Sequence, residues 1–260
     1  MTDTIMHTAD RVIAATYKRF PVVMERGQGC TLWDTQGRRY TDFVAGIAVC
    51  NLGHAHPRIA DAVARQAGRL VHVSNLYYTI PQTELARMLV EHSFADRVFF
   101  GNSGAEANEA AIKLARKYFK DAGQAERFRI VCMEKSFHGR TMATLSATGQ
   151  DKIKQGFDPV LEGFSFVPFN DIDALKSAID DHTCAVMLEP IQGEGGIRCP
   201  DPGFLQQVRQ LCDQQRLLMI LDEIQTGMGR TGTHFAHEQY GVTPDIMTLA
   251  KALGNGFPIG

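Results

Sequence analysis

Six short apolar runs punctuate the chain from residue 97 onward, at 97–101 (RVFFG), 129–133, 164–168, 184–189, 217–222 and 246–250. Runs of this length are too brief for helices and read as buried strands. Between them apolar residues return at helical spacing, most plainly at Ala107, Ala110, Ala111, Leu114, Ala115 and Tyr118, and again across 204–214. Strands that alternate with helices need a crossover to rejoin the sheet, so the pattern predicts an α/β fold with a mostly parallel sheet covered by helices. With 44% of its 260 residues hydrophobic, the chain has the apolar material for such a core.

The segment before about residue 45 reads differently, as turns and short strands. There the runs 30–33 and 39–43 flank Asp34-Thr-Gln-Gly37, which predicts a hairpin. Helix and strand alternation begins near residue 58.

Composition narrows the partners. Lys and Arg number 27 against 29 Asp and Glu, a net charge of −2, and the basic residues are scattered. That leaves no electrostatic footprint for a nucleic-acid backbone or an anionic membrane, and neither is an expected partner. The start, MTDTIMHTADRV, carries Asp3 and Asp10 and lacks the apolar stretch of a secretory signal. No run of about 18 apolar residues is present to span a bilayer. Six cysteines without a CxxC pair fit a reducing cytoplasm. The pairs His54/His56 and His234/His237 lack the further ligands zinc requires, so no metal is expected.

In open parallel sheets the ligand lies beyond the carboxyl ends of the strands. Several chemistry-bearing residues follow the runs. Asn102-Ser-Gly-Ala105 combines a glycine with the start of a helix, where unpaired amides suit a phosphate; it reads equally as a helix cap. Asp222 closes LLMILD, where a shielded carboxylate needs a partner such as a protonated pyridine nitrogen, or caps the next turn. Lys251 follows IMTLA, where burial would lower its pKa and favour imine chemistry, or it faces solvent. Phe137 is placed to stack on a planar ring or to join the core, and Arg140 to clamp a carboxylate or to lie on the surface. Glu189 and Glu194 sit in the turn EPIQGEGG, as functional carboxylates or as part of a glycine-shaped connection.

Taken in order, FFGNSGAEANEAAIKLAR, SFHGRT, EPIQGEGG, LDEIQTGMGRTG and PDIMTLAKALGNGFPIG resemble the successive signatures of class III aminotransferases, over nearly the whole chain. The resemblance implies a fold-type I architecture: a large domain with a mainly parallel sheet that holds pyridoxal 5'-phosphate, and a smaller domain. Residues 1–50 would belong to the small domain and 51–260 to the large one. The family continues past the equivalent of Gly260 with an antiparallel seventh strand and the rest of the small domain, so that part is expected to be lacking. Carried over from the family, Lys251 is the covalent and catalytic lysine, Asp222 the partner of the pyridine nitrogen, and Gln225 the neighbour of the ring hydroxyl. Ser103, Gly104 and Ala105 match the phosphate turn, and Phe137 and Ile224 the pair that sandwiches the ring. Arg140 matches the arginine that holds the substrate carboxylate, and Glu194 the gate glutamate.

Within the class, the motifs look closer to acetylornithine and ornithine enzymes than to 4-aminobutyrate enzymes. The implied activity is transfer of the terminal amino group of N-acetylornithine to 2-oxoglutarate, in arginine biosynthesis, by a cytoplasmic homodimer. Ornithine, succinylornithine or 4-aminobutyrate as donor, or a silent cofactor-binding or dimerisation fragment, are the alternatives.

Overall fold

The computed structural model describes residues 2–260. The chain divides into two compact units, Met1–Tyr77 and Tyr78–Gly260. In the first, α1 (Thr2–Val12) precedes an antiparallel three-stranded sheet of β1 (Met24–Gln28), β2 (Thr31–Asp34) and β3 (Arg39–Thr41), followed by the short α2 (Ala45–Ala48) and by α3 (Pro57–Ala67). The hairpin expected around Asp34 is present. The amide of Gly37 donates to the carbonyl of Asp34, and Gly37 takes a φ of 79° that a glycine adopts without strain. Asp34 anchors the turn by accepting from the amides of Gln36 and Arg38 and from the side chains of Arg38 and Tyr40. The helix α1 corrects the expectation of turns and strands alone. Its Ile5, Ala9 and Val12 fall at helical spacing, a short stripe that the sequence reading passed over, and none of its residues is buried.

The second unit opens with α4 (Ile80–Glu91) and α5 (Gly104–Asp121), and then winds β4 (Arg129–Met133), α6 (Met142–Ala147), α7 (Asp151–Lys154), β5 (Phe164–Val167), α8 (Ile172–Ala178), β6 (Thr183–Leu188), α9 (Phe204–Gln215), β7 (Leu218–Asp222) and β8 (Ile246–Thr248). The five strands form one sheet in the order β5-β4-β6-β7-β8, every pair parallel. Alternate side chains point to opposite faces. Val131, Met133, Val186, Leu188, Met219 and Leu221 pack with Leu175 of α8 and with Leu205, Val208 and Leu211 of α9. Ile130, Cys132, Ala185, Met187 and Ile220 pack on the other face with Ala111, Ile112, Ala115 and Phe119 of α5. The sheet is therefore sheathed on both sides, as its continuous apolar runs require.

One expected strand is absent. Residues 97–101 carry no regular structure and belong to no ladder; Gly101 alone exchanges backbone hydrogen bonds, with Gly260 at 2.8 and 2.9 Å. A strand exists only by pairing along its length, and an apolar run without a partner strand stays irregular.

Candidate functional site

Because β4, β6, β7 and β8 run parallel, the residues after them share one edge of the sheet. The helix α5 aims its N-terminus there. Ser103 caps it, its hydroxyl accepting from the amide of Glu106 at 3.2 Å, while the leading amides of any α-helix have no partner within it. Gly104 starts the helix against Ile224: a Cβ at Gly104 would lie 2.8 Å from Ile224 Cδ1, so only glycine lets the two segments meet this closely.

Asp222, 3% exposed at the end of β7, is held by three donors. Its Oδ2 accepts from Asn108 Nδ2 of α5 at 2.8 Å and lies 2.7 Å from His138 Nδ1. Its Oδ1 accepts from the amide of Ile224 at 3.1 Å. Burial disfavours charge on the His138 ring, yet the hydrogen bond and charge of Asp222, with Glu189 adding, raise its pKa above the ordinary value.

Glu189, at the end of β6, ties two loops together. It accepts from the amide of Phe137 at 3.2 Å and from that of Gly193 at 3.3 Å. Burial pushes its pKa from 4.5 up to about 7, against the opposing charge of His138. The folded chain thus binds more protons here than the unfolded one between those pH values, so the contribution of Glu189 is fully present below about pH 4.5 and is lost as pH rises through 7. A shift of this size corresponds to about 3–4 kcal/mol. Urea unfolding followed from pH 5 to pH 8 is expected to show that decline, and Glu189→Gln to flatten it; an equal slope in the variant would remove Glu189 as its source.

Lys251 follows β8 at a φ of 47°, a left-handed conformation that a non-glycine residue holds only where surrounding structure imposes it. Its amine is half-buried. Burial lowers its pKa from 10.5, and the charges of Glu194, Asp222 and Glu189 oppose that shift without cancelling it. Gln225 Nε2 donates to Glu194 Oε1 at 3.1 Å. Gly193 makes room for this: a Cβ there would lie 1.9 Å from Gln225 Oε1. The Arg140 guanidinium lies 5.9 Å from the centre of the half-buried Phe137 ring, on the same loop.

The geometry thus joins Asp222 and Ile224 to α5, ties the Phe137 amide to Glu189 and sets Glu194 on Gln225, with Lys251 after the strand beside β7. Sequence reasoning passed over Asn108 and the His138 ring. Asn108 carried a signal, being a polar residue on the helix face that also presents Ala111, Ile112 and Ala115.

The class-III aminotransferase family model matches residues 12–260. The chain belongs to the class-III aminotransferases. Within that family it is 57% identical over 245 residues to the acetylornithine aminotransferase of Caldanaerobacter subterraneus subsp. tengcongensis, covering 94% of this chain and 62% of that protein. It is 56% identical to the acetylornithine aminotransferase of Methanocaldococcus jannaschii, over 94% of this chain and 61% of the relative. The chain therefore spans less than two thirds of the length of these relatives. Among solved structures, the N-acetylornithine aminotransferase of Stenotrophomonas maltophilia superposes with a TM-score of 0.83 at 47% identity, over 98% of this chain and 63% of that one. The ornithine aminotransferase of Toxoplasma gondii, described with partial occupancy of PLP at its active site, superposes at 0.96 with 34% identity, over 100% and 62%. The α/β fold with a parallel central sheet, expected from the sequence, is the fold of these aminotransferases.

Class-III aminotransferases are pyridoxal-phosphate enzymes. The donor set at this edge fits that group: helix amides for a phosphate, a buried carboxylate for a cationic ring nitrogen, apolar Phe137 and Ile224 for the ring faces, and an amine of lowered pKa for an aldehyde.

Proposed function

We propose that the protein transfers the terminal amino group of N-acetylornithine to 2-oxoglutarate with pyridoxal 5'-phosphate, and that the edge around Asp222 and Lys251 is its active site. The observation that carries the reading is the pairing of a buried carboxylate, held by three donors, with a half-buried amine of lowered pKa after the adjacent strand. The high identity to acetylornithine aminotransferases supports the choice of donor.

When bound, the cofactor supplies an aldehyde for amine exchange and a protonated ring that withdraws electrons. Lys251 Nζ is the amine for its covalent attachment. Displaced from that bond by the substrate amine, the same atom takes the proton from the substrate carbon and delivers it to the cofactor's aldehyde carbon, a task for which a lowered pKa leaves more of the amine unprotonated. Asp222 stabilises the cationic ring. Ser103, Gly104 and Ala105 hold the phosphate through the α5 amides, and Phe137 and Ile224 flank the ring. Gln225 meets the ring hydroxyl, Arg140 the substrate carboxylate, and Glu194 gates the site.

In this reading residues 1–50 are the N-terminal part of a small domain and 51–260 belong to the cofactor-binding domain. The protein works as a homodimer, a proposal supported by the consecutive exposed side chains of Leu76, Tyr77 and Tyr78. No helix among the described residues is long and apolar enough to cross a membrane. A cytoplasmic setting is supported by the six free cysteines, and cell fractionation tests it.

Glutamate formation from 2-oxoglutarate, measured with N-acetylornithine, ornithine, succinylornithine and 4-aminobutyrate as competing donors, tests the function, with sedimentation of the same sample reporting the dimer. A kcat/KM highest for N-acetylornithine is expected. A preference for another donor, or cofactor binding without turnover, would overturn it in favour of a different aminotransferase or of a silent binding module.

A further inference from the structure

His138 has no part in the reaction above, yet its ring is sealed from solvent against Asp222. A carboxylate oxygen only accepts, so the proton between them belongs to Nδ1; Nε2 is buried without a partner. Asn108 reaches the same oxygen. Its Nδ2 donates one proton to Asp222 Oδ2 and the other to the carbonyl of His138 at 2.7 Å. Both of those neighbours are acceptors, which fixes the orientation of the amide.

The His138 backbone is pinned as well. Its amide donates to Thr148 Oγ1 at 3.0 Å. Gly139 follows at a φ of 136°, and a Cβ there would lie 2.5 Å from Thr144 Oγ1. The loop after β4, the helix α5 and the end of β7 are thus tied at one carboxylate oxygen.

Each carboxylate oxygen offers about two lone-pair sites. On Oδ2 both are taken by Asn108 and His138, whereas Oδ1, among the described residues, accepts only from the amide of Ile224 and retains one. We propose that His138 and Asn108 are positioning residues that saturate Oδ2 of Asp222 and thereby present Oδ1 as the acceptor for the cationic ring nitrogen of the bound cofactor. The proposal rests on the pyridoxal-phosphate reading above, and it makes a demand that simple loop anchoring does not. The benefit of His138 must vanish when the ring has no nitrogen.

The test titrates the chain with pyridoxal phosphate and with its deaza analogue, in which carbon replaces the ring nitrogen, and follows binding by the absorbance of the ligand. His138→Leu deletes the donor; His138→Asn returns an amide close to the Nδ1 position. His138→Leu is expected to weaken pyridoxal phosphate about tenfold or more, the scale of a hydrogen bond to a charged group, and to change the analogue by less than about twofold. His138→Asn is expected to recover most of the loss. Equal weakening of both ligands would overturn the proposal. Asn108→Leu, which removes the second donor to Oδ2, provides the same comparison should His138→Leu fail to fold by circular dichroism. If the unaltered chain binds neither ligand, the cofactor reading falls instead.

Discussion

Lys251→Ala is expected to lower transamination by at least about 10²–10⁴-fold, the share of a placed general acid–base, and to remove covalent cofactor attachment entirely. Two properties set the size of this effect. Lys251 Nζ is half-buried, with a pKa lowered by burial, so it gives up its proton more readily than an exposed lysine. Its backbone is held in a left-handed conformation that aims it from the end of β8, and alanine retains that backbone while deleting the amine. Steady-state rates with N-acetylornithine, read beside the absorbance of bound cofactor, check both parts. A variant that remains active and coloured would sink the assignment.

Asp222→Asn is expected to cost about 10²–10³-fold in kcat, the range found when one preorganised electrostatic partner is removed. The structure adds a stability cost. If the new amide nitrogen takes the place of Oδ2, it faces the donors Asn108 Nδ2 and His138 Nδ1; if it takes the place of Oδ1, it faces the amide of Ile224. Either arrangement leaves a buried donor unpaired, worth about 1–3 kcal/mol. Rate assays and urea unfolding of the same preparation measure the two losses. An unchanged rate would mean that the ring nitrogen has another partner.

The parallel sheet was legible because its strands are covered on both faces. All of TCAVML in β6 is buried, so hydrophobic run and strand coincide, and the expected 184–189 lies within one residue of Thr183–Leu188. The run at 129–133 coincides with β4. Where burial is lacking the signal fails: β1 reads MERGQ, a polar strand held by its ladder to β2. The run 97–101 misled in the opposite direction, being apolar but without a partner strand. At the site, Lys251 and Asp222 stand out because each ends an apolar run. Their supports do not, since Asn108 and His138 meet Asp222 across 114 and 84 residues, a closeness only the fold creates.

The central claim, that this strand edge binds pyridoxal phosphate through Lys251, is tested most directly by trapping the bond. The chain is incubated with the cofactor, reduced with borohydride, digested and mapped by mass spectrometry. A single phosphopyridoxyl adduct, on Lys251, is the predicted result. An adduct on another lysine, or none on the folded chain, would contradict it.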